Sequence, residues 1–161
     1  LVDAPDPYFT GFSWYDLPPH QAPGVLRSRR LLDDLFADLD ARGQRPEHTA
    51  LLGFSQGSLM TLEWGARQHR PLAAYVGLSG YVLDTDALLA DRHPQASRPA
   101  WLVTHGRGDE VLPFATSAAQ VARLEAAGLP VRFHAFDKAH TIVPEELAVV
   151  RAFLAERLGL G

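Results

Sequence analysis

A serine flanked by glycines is the residue of this chain best suited to nucleophilic chemistry. It lies in the stretch Gly53-Phe54-Ser55-Gln56-Gly57, which has the pattern G-x-S-x-G and comes between a short apolar run and a predicted helix. The glycines allow a sharp turn that would expose the Ser55 hydroxyl, and the N–H of Gln56 at the helix start would face a developing oxyanion. The alternative interpretation is a glycine-rich turn that only caps the helix.

Two later stretches hold the base and the carboxylate that a nucleophilic serine needs. Asp109 ends the stretch His105-Gly106-Arg107-Gly108-Asp109, and His140 ends Phe136-Asp137-Lys138-Ala139-His140. The order Ser55, Asp109, His140 is the order found in α/β-hydrolases. Taken singly, Asp109 could be a solvated turn residue and His140 an exposed loop histidine. Asp137 is a weaker candidate carboxylate, because it lies three residues from His140 on the same short loop.

These residues need a scaffold that brings three loops together, and the apolar periodicity predicts one. Apolar residues at helical spacing from about Val25 to Gly43 predict an amphipathic helix, preceded by an irregular segment rich in proline and aromatic side chains. The continuously apolar run Thr49 to Phe54 predicts a strand buried on both faces of a sheet. The alternation then continues as helix Gln56 to His69, strand Leu72 to Leu78, a poorly defined helix Thr85 to Leu89, strand Trp101 to His105, helix Phe114 to Ala127, strand Val131 to Phe136 and helix Pro144 to Leu158.

Strands that alternate with helices predict an α/β fold, with a parallel sheet of about five strands covered by helices. The carboxyl ends of parallel strands lie at one edge of the sheet, so Ser55, Asp109 and His140 would meet there. The length of 161 residues fits a single domain over residues 1–161.

Composition argues against several functional classes. The chain carries 15 Lys and Arg against 19 Asp and Glu, a formal net charge of −4, so it lacks the basic surface that nucleic acid binding requires. No cysteine is present, which excludes thiolate nucleophiles and iron–sulfur ligation. The other histidines lack metal-ligand spacing and no nucleotide-binding glycine pattern occurs, so we expect neither a metal nor an organic cofactor. No apolar run is long enough to cross a membrane, and we expect a cytoplasmic location.

Several motifs together carry a resemblance to a known family. They are Trp14-Tyr15-Asp16, Gly53 to Ser58, Leu78-Ser79-Gly80-Tyr81, His105 to Pro113, and Ala139-His140 followed by a glutamate-bearing last helix. With them the chain resembles, over essentially its whole length, the phospholipase/carboxylesterase family of the α/β-hydrolases, which includes bacterial carboxylesterases and acyl-protein thioesterases. The resemblance implies Ser55 as nucleophile, His140 as general base and acid, and Asp109 as the orienting carboxylate. Dienelactone hydrolases are similar in fold but use a cysteine nucleophile, which this chain lacks.

The resemblance also implies a departure at the N-terminus. Family members carry a further N-terminal portion with a strand that ends in an H-G-x-G type oxyanion loop, and Leu1 to Ala4 would close a neighbouring strand. Without that loop the oxyanion hole would keep the N–H of Gln56 and lose its second donor. We therefore expect about the C-terminal two-thirds of the family domain, as a truncated product that folds, a nicked protein whose other piece is separate, or a dimer that shares strands. Unpaired strand edges favour a homo-oligomer or association with the missing N-terminal segment.

The resulting hypothesis is a serine carboxylesterase that hydrolyses short- to medium-chain carboxylic esters through an acyl-enzyme on Ser55. The aromatic segment Tyr8 to Tyr15 is the expected apolar wall for the small-molecule ester, with Phe12, Trp14 and Tyr15 as its substrate-binding residues. Two alternatives stay open. One is an acyl-thioesterase or lysophospholipase with the same triad, and the other is an inactive truncated hydrolase with a binding or assembly role.

Overall fold

The chain forms a β-hairpin and a long helix first, and then a run of alternating strands and helices. The computed structural model describes residues 2–160, which fall into two compact units that divide between Gln44 and Arg45. The first unit contains β1 (Asp6–Tyr8), β2 (Gly11–Ser13) and α1 (Gln21–Ala41). The second contains β3 (Ala50–Phe54), α2 (Gln56–Gly65), β4 (Ala74–Leu78), α3 (Thr85–Asp91), β5 (Ala100–Gly106), α4 (Phe114–Ala126), β6 (Val131–Phe136) and α5 (Pro144–Leu158).

The four strands of the second unit form one parallel sheet in the order β3-β4-β5-β6. Phe54 lies opposite Leu78, Leu78 lies opposite Thr104, and Gly106 lies opposite Phe136. The carboxyl ends of the strands are therefore at the same edge of the sheet. The α/β class predicted from the alternation of elements is confirmed.

The core lies on both faces of β4, in which all five residues are buried. On one face Val76 and Leu78 pack in a cluster with Leu102 of β5 and with Val150 and Phe153 of α5. Because side chains alternate along a strand, the other face of the same two strands carries aromatic residues.

Those aromatic residues bring α2 close to the sheet. Tyr75 of β4 stacks on Trp101 of β5 with 4.3 Å between ring centroids. A Cβ on Gly65 would lie 2.7 Å from the Tyr75 ring and 2.8 Å from the Trp101 ring, so the last turn of α2 can approach the sheet only with glycine there. The strand is thus covered on both sides, as a central parallel strand requires.

The edge of the sheet differs from the sequence prediction. The parallel sheet of residues 2–160 has four strands where about five were predicted. The expected strand end at Leu1 to Ala4 is absent from residues 2–4, and Leu1 lies outside the described residues. The prediction that Thr49 to Phe54 is buried on both faces is wrong, because β3 begins at Ala50 and Leu52 is 44% exposed. Within the described residues β3 pairs with β4 alone, so it is an edge strand of the sheet, whereas β4 has a neighbouring strand on each side.

The N-terminal unit is more regular than its prolines suggested. The irregular segment of the prediction contains the β1–β2 hairpin, and α1 starts at Gln21 rather than near Val25. Pro23 is accommodated in the first helical turn, where a backbone N–H has no intrahelical partner to lose. Gly43, with φ of +86°, follows the helix end as predicted.

Two further predictions concern the second unit and the chain as a whole. α2 ends at Gly65 and not at His69, because glycine disfavours continuation of a helix and the chain turns directly after it. No helix among residues 2–160 is long and apolar enough to cross a membrane. A single domain over 1–161 stays a prediction.

Candidate active site

Ser55 lies in a tight turn between β3 and α2. Its φ of 55° and ψ of −114° form a backbone conformation that residues with a side chain rarely adopt. The turn is closed by direct backbone packing, since a Cβ on Gly53 would lie 2.1 Å from both the carbonyl carbon and the oxygen of Gly57. The N–H of Ser55 donates to the carbonyl of Leu78 at 2.9 Å, which ties the turn to the end of β4.

His140 joins Ser55 to Asp109. Its Nε2 lies 2.9 Å from Oγ of Ser55, and its Nδ1 lies 2.8 Å from Oδ2 of Asp109. The imidazole packs beside Phe54 with 4.9 Å between ring centroids, and 17% of the side chain is exposed. With its proton on Nδ1, the ring donates to the carboxylate and leaves Nε2 to accept the hydroxyl proton of Ser55.

Asp109 is buried and held by several donors. Its Oδ1 accepts hydrogen bonds from the N–H groups of Val111 at 3.0 Å and Leu112 at 2.8 Å. Burial raises the pKa of Asp109, but the hydrogen bonds from Leu112, His140 and Val111 and the charge of His140 outweigh it, so the pKa lies below its ordinary value. The carboxyl group therefore stays ionised at neutral pH. Nε2 of His105 lies 3.4 Å from Oδ2, and this buried histidine also contacts the carbonyl of Leu112 at 2.9 Å.

The loop that carries His140 is tied to the loop that carries Asp109. The N–H of Gly108 donates to the carbonyl of Lys138 at 3.1 Å, and the N–H of Arg107 donates to the carbonyl of Phe136 at 2.8 Å. A Cβ on Gly106 would lie 2.3 Å from the Lys138 carbonyl oxygen, so the two loops approach each other closely at a glycine. The two backbone hydrogen bonds fix the spacing between Asp109 and His140.

A buried ion pair beneath this loop was missed by the sequence analysis. Nζ of Lys138 lies 2.8 Å from Oε1 of Glu146, and both side chains are almost fully buried. The signal available in the sequence is that the chain has one lysine, placed two residues before His140. A buried lysine needs an acceptor, and a glutamate follows in the first turn of α5.

The remaining predicted site residues fall into two groups. Gln56 is the first residue of α2, so its N–H lies at the positive end of the helix dipole, and its oxyanion role stays a prediction. Phe12, Trp14 and Tyr15 belong to the first unit, where Phe12 is 59% exposed, Trp14 is half-buried and Tyr15 is 2% exposed. Their contact with a substrate stays a prediction. The weaker candidate Asp137 lies against Arg107, with 3.0 Å between Oδ1 and Nη1.

No group of three or more His, Asp or Glu side chains that could hold a metal ion occurs among residues 2–160. The polar side chains that converge at the carboxyl edge of the sheet are instead a hydroxyl, an imidazole and a carboxylate in hydrogen-bonded series. Such a series can lower the barrier to proton removal from the hydroxyl and so make it a nucleophile.

Comparison with known proteins gives consistent results. The model of the phospholipase/carboxylesterase family matches residues 9–158. Carboxylesterase SOBER1 of Arabidopsis thaliana is 26% identical over 91% of this chain and 68% of its own length. Acyl-protein thioesterase 1 of Aspergillus fumigatus is 30% identical over 82% of this chain and 56% of its own length. The chain thus spans little more than half the length of the second relative.

Solved structures extend the comparison to the fold. The crystal structure of esterase PE8 superposes with a TM-score of 0.86 at 34% identity, and the match covers 97% of this chain and 76% of that one. The similarity therefore includes nearly all of the described elements.

Proposed function

Because the chain belongs to the phospholipase/carboxylesterase family, we propose that it is a serine hydrolase that cleaves carboxylic esters with Ser55 as nucleophile. The observation that carries the proposal is the hydrogen-bonded series from the Ser55 hydroxyl through His140 to the Asp109 carboxylate, at 2.9 and 2.8 Å. The positive φ of Ser55 supports it further, since strained backbone at a polar residue is common at functional sites.

The first half of the reaction acylates the serine. Oγ of Ser55 attacks the ester carbonyl carbon while its proton passes to Nε2 of His140, and Asp109 stabilises the resulting imidazolium through Nδ1–H. The N–H of Gln56 at the start of α2 stabilises the oxyanion of the tetrahedral intermediate. When that intermediate collapses, the proton on His140 is transferred to the departing alkoxide, which leaves as an alcohol.

The second half repeats these steps with water. Nε2 of His140 takes a proton from the water as its oxygen attacks the acyl carbon, and then returns a proton to Oγ of Ser55 as the carboxylic acid is released. The 17% exposure of the His140 side chain supports this role, because water must reach the ring. The cycle consumes one water molecule and regenerates the free hydroxyl of Ser55.

The substrates we propose are short- to medium-chain carboxylic esters, with Phe12, Trp14 and Tyr15 as the apolar contacts. Esters of this kind present little beyond a carbonyl and short alkyl groups, so an apolar wall suits them. Of the three residues, Phe12 has the most accessible ring, at 59% exposure. A cytoplasmic location, and a homo-oligomer or an association with a further N-terminal segment, belong to the same proposal.

A thioesterase activity is the second candidate. It is favoured by the 30% identity to a relative named acyl-protein thioesterase 1. The same series of side chains would attack a thioester carbonyl, and the leaving group would be a thiol. Turnover of an oxygen ester and a thioester that carry the same acyl chain separates the two candidates.

The test of the nucleophile is hydrolysis of a chromogenic short-chain ester by wild type, Ser55→Ala and Ser97→Ala. Ser97 is an exposed serine in a short turn, so its variant controls for the loss of a hydroxyl. We expect Ser55→Ala to lose at least about 1000-fold in kcat and Ser97→Ala to match wild type. Equal rates in all three proteins would refute the assignment. Failure of a fluorophosphonate to label wild-type Ser55 would favour the inactive hydrolase instead.

A further inference from the structure

The one lysine of the chain is buried beneath the loop of His140. Its side chain is 1% exposed, and its ammonium group has an acceptor for each of its three protons. These acceptors are Oγ of Ser79 at 2.8 Å, the carbonyl of Thr141 at 2.7 Å and Oε1 of Glu146 at 2.8 Å. Lys138 therefore joins the end of β4, the residue after His140, and the first turn of α5.

The carboxylate of Glu146 is the counter-charge of this ammonium, and it is also shielded from solvent. Its side chain is 0% exposed, and Oε1 also accepts a hydrogen bond from Thr104 of β5. The pair is thus part of a connected set of side chains from four segments that border the active site. The pair of Arg132 and Glu156, at 3.0 Å, also joins two elements, but both of its side chains are about half exposed.

Two of the residues that bind the Lys138 ammonium are next to the partners of the hydrogen bond between Ser55 and His140. At one end, Ser79 follows Leu78, whose carbonyl accepts the N–H of Ser55. At the other end, Lys138 holds the carbonyl of Thr141 through its ammonium and the N–H of Gly108 through its own carbonyl. The chain is therefore held on both sides of His140.

We propose that Lys138 is a positioning residue, which keeps the imidazole of His140 at hydrogen-bond distance from Ser55 and Asp109. This inference rests on the proposed function, since it assigns a role in the same hydrolysis. Lys138 itself does not touch the reacting atoms. Its loss would let the loop move, and a displacement of about 1 Å at a catalytic group can lower turnover about 100-fold.

The test replaces both charges, because removal of one would leave the other buried without a partner. In Lys138→Met/Glu146→Gln the shapes are nearly kept and neither charge of this pair remains in the interior. We expect a folded protein with kcat lowered about 10- to 100-fold, KM changed less than about threefold, and labelling by a fluorophosphonate slowed in parallel with kcat. The matched control is Arg132→Met/Glu156→Gln, which removes an exposed pair between β6 and α5, the two elements that the His140 loop connects.

The results separate a positioning role from a structural one. A folded double variant whose kcat and labelling rate stay within about twofold of the control would overturn the proposal. If the double variant does not fold, Ser79→Ala decides, since it removes only the hydroxyl that ties the ammonium to β4 and keeps both charges. Lower kcat at unchanged KM in Ser79→Ala supports the proposal, and wild-type kcat overturns it. Full activity of Ser55→Ala in the same assay would instead refute the proposed function.

Discussion

The turn that carries Ser55 and the loop that carries His140 are both short, but different forces hold them in place. At Ser55 the restraint is backbone against backbone, because Gly53 and Gly57 approach so closely that no Cβ fits at Gly53. At His140 the backbone hydrogen bonds from Arg107 and Gly108 are supplemented by a restraint from side chains, with the buried Lys138 and Glu146 at its centre. The first kind of restraint fails when volume is added, and the second fails when a charge loses its partner.

Glu146→Leu is expected to have the largest effect on stability. It removes the carboxylate and leaves the Lys138 ammonium buried without its counter-charge, which costs about 3–5 kcal/mol in free energy of unfolding. Urea unfolding measures the change. Glu156→Gln breaks an exposed contact to Arg132 and serves as the control, for which we expect an unchanged urea midpoint. Equal midpoints for the two variants would mean that burial adds nothing to the first pair.

Gly53→Ala tests the other region and is expected to cost about 3 kcal/mol in free energy of unfolding. The new methyl group would lie 2.1 Å from the Gly57 backbone, so the turn would have to open. Gly108→Ala is the matched control, since its methyl group would meet its nearest neighbour, the Lys138 carbonyl oxygen, at 3.4 Å. Urea unfolding of both variants measures the difference. If Gly53→Ala lowers the free energy of unfolding no more than Gly108→Ala does, the turn can open without a cost in stability.

The smallest expected effect is that of Asp109 on the free energy of unfolding at acidic pH. Because its pKa in the folded protein lies below the ordinary value of about 3.9, the unfolded chain takes up this proton first as the pH falls. The Asp109 carboxylate contributes its full share to the free energy of unfolding above about pH 5, and this share is lost as the pH falls through the folded-state pKa. We expect the unfolding free energy of Asp109→Asn to fall less between about pH 5 and pH 3 than that of wild type. Parallel curves for the two proteins would contradict this.

The sequence predicted the architecture better than it predicted the edges of each element. Alternating apolar runs and helical periodicity indicated the parallel sheet, because both patterns depend on burial alone. The exposure of Leu52 was not predictable in this way, since a continuous apolar run looks the same at the centre and at the edge of a sheet. The β1–β2 hairpin was missed because its strands, with three residues each, are too short to show an alternation.

The candidate site shows a similar division. Ser55, Asp109 and His140 could be located because each follows a predicted strand, and parallel strands end at one edge. The role of Lys138 could not be predicted in this way. Hydrophobic periodicity identifies which face of an element is buried, but it does not tell which polar side chains have hydrogen-bond partners there. A lysine in a loop is usually exposed, whereas here acceptors at the end of β4, in the His140 loop and at the start of α5 make burial of the ammonium possible.

The burial of Lys138 also gives the protein an internal reporter. A protease that cuts after lysine has one site in the 161-residue sequence, two residues before His140. In the folded state that bond lies in a loop tied down at both sides, so cleavage requires the loop to open. The rate of this single cut therefore reports how often the loop that carries His140 leaves its place, without any label on the protein.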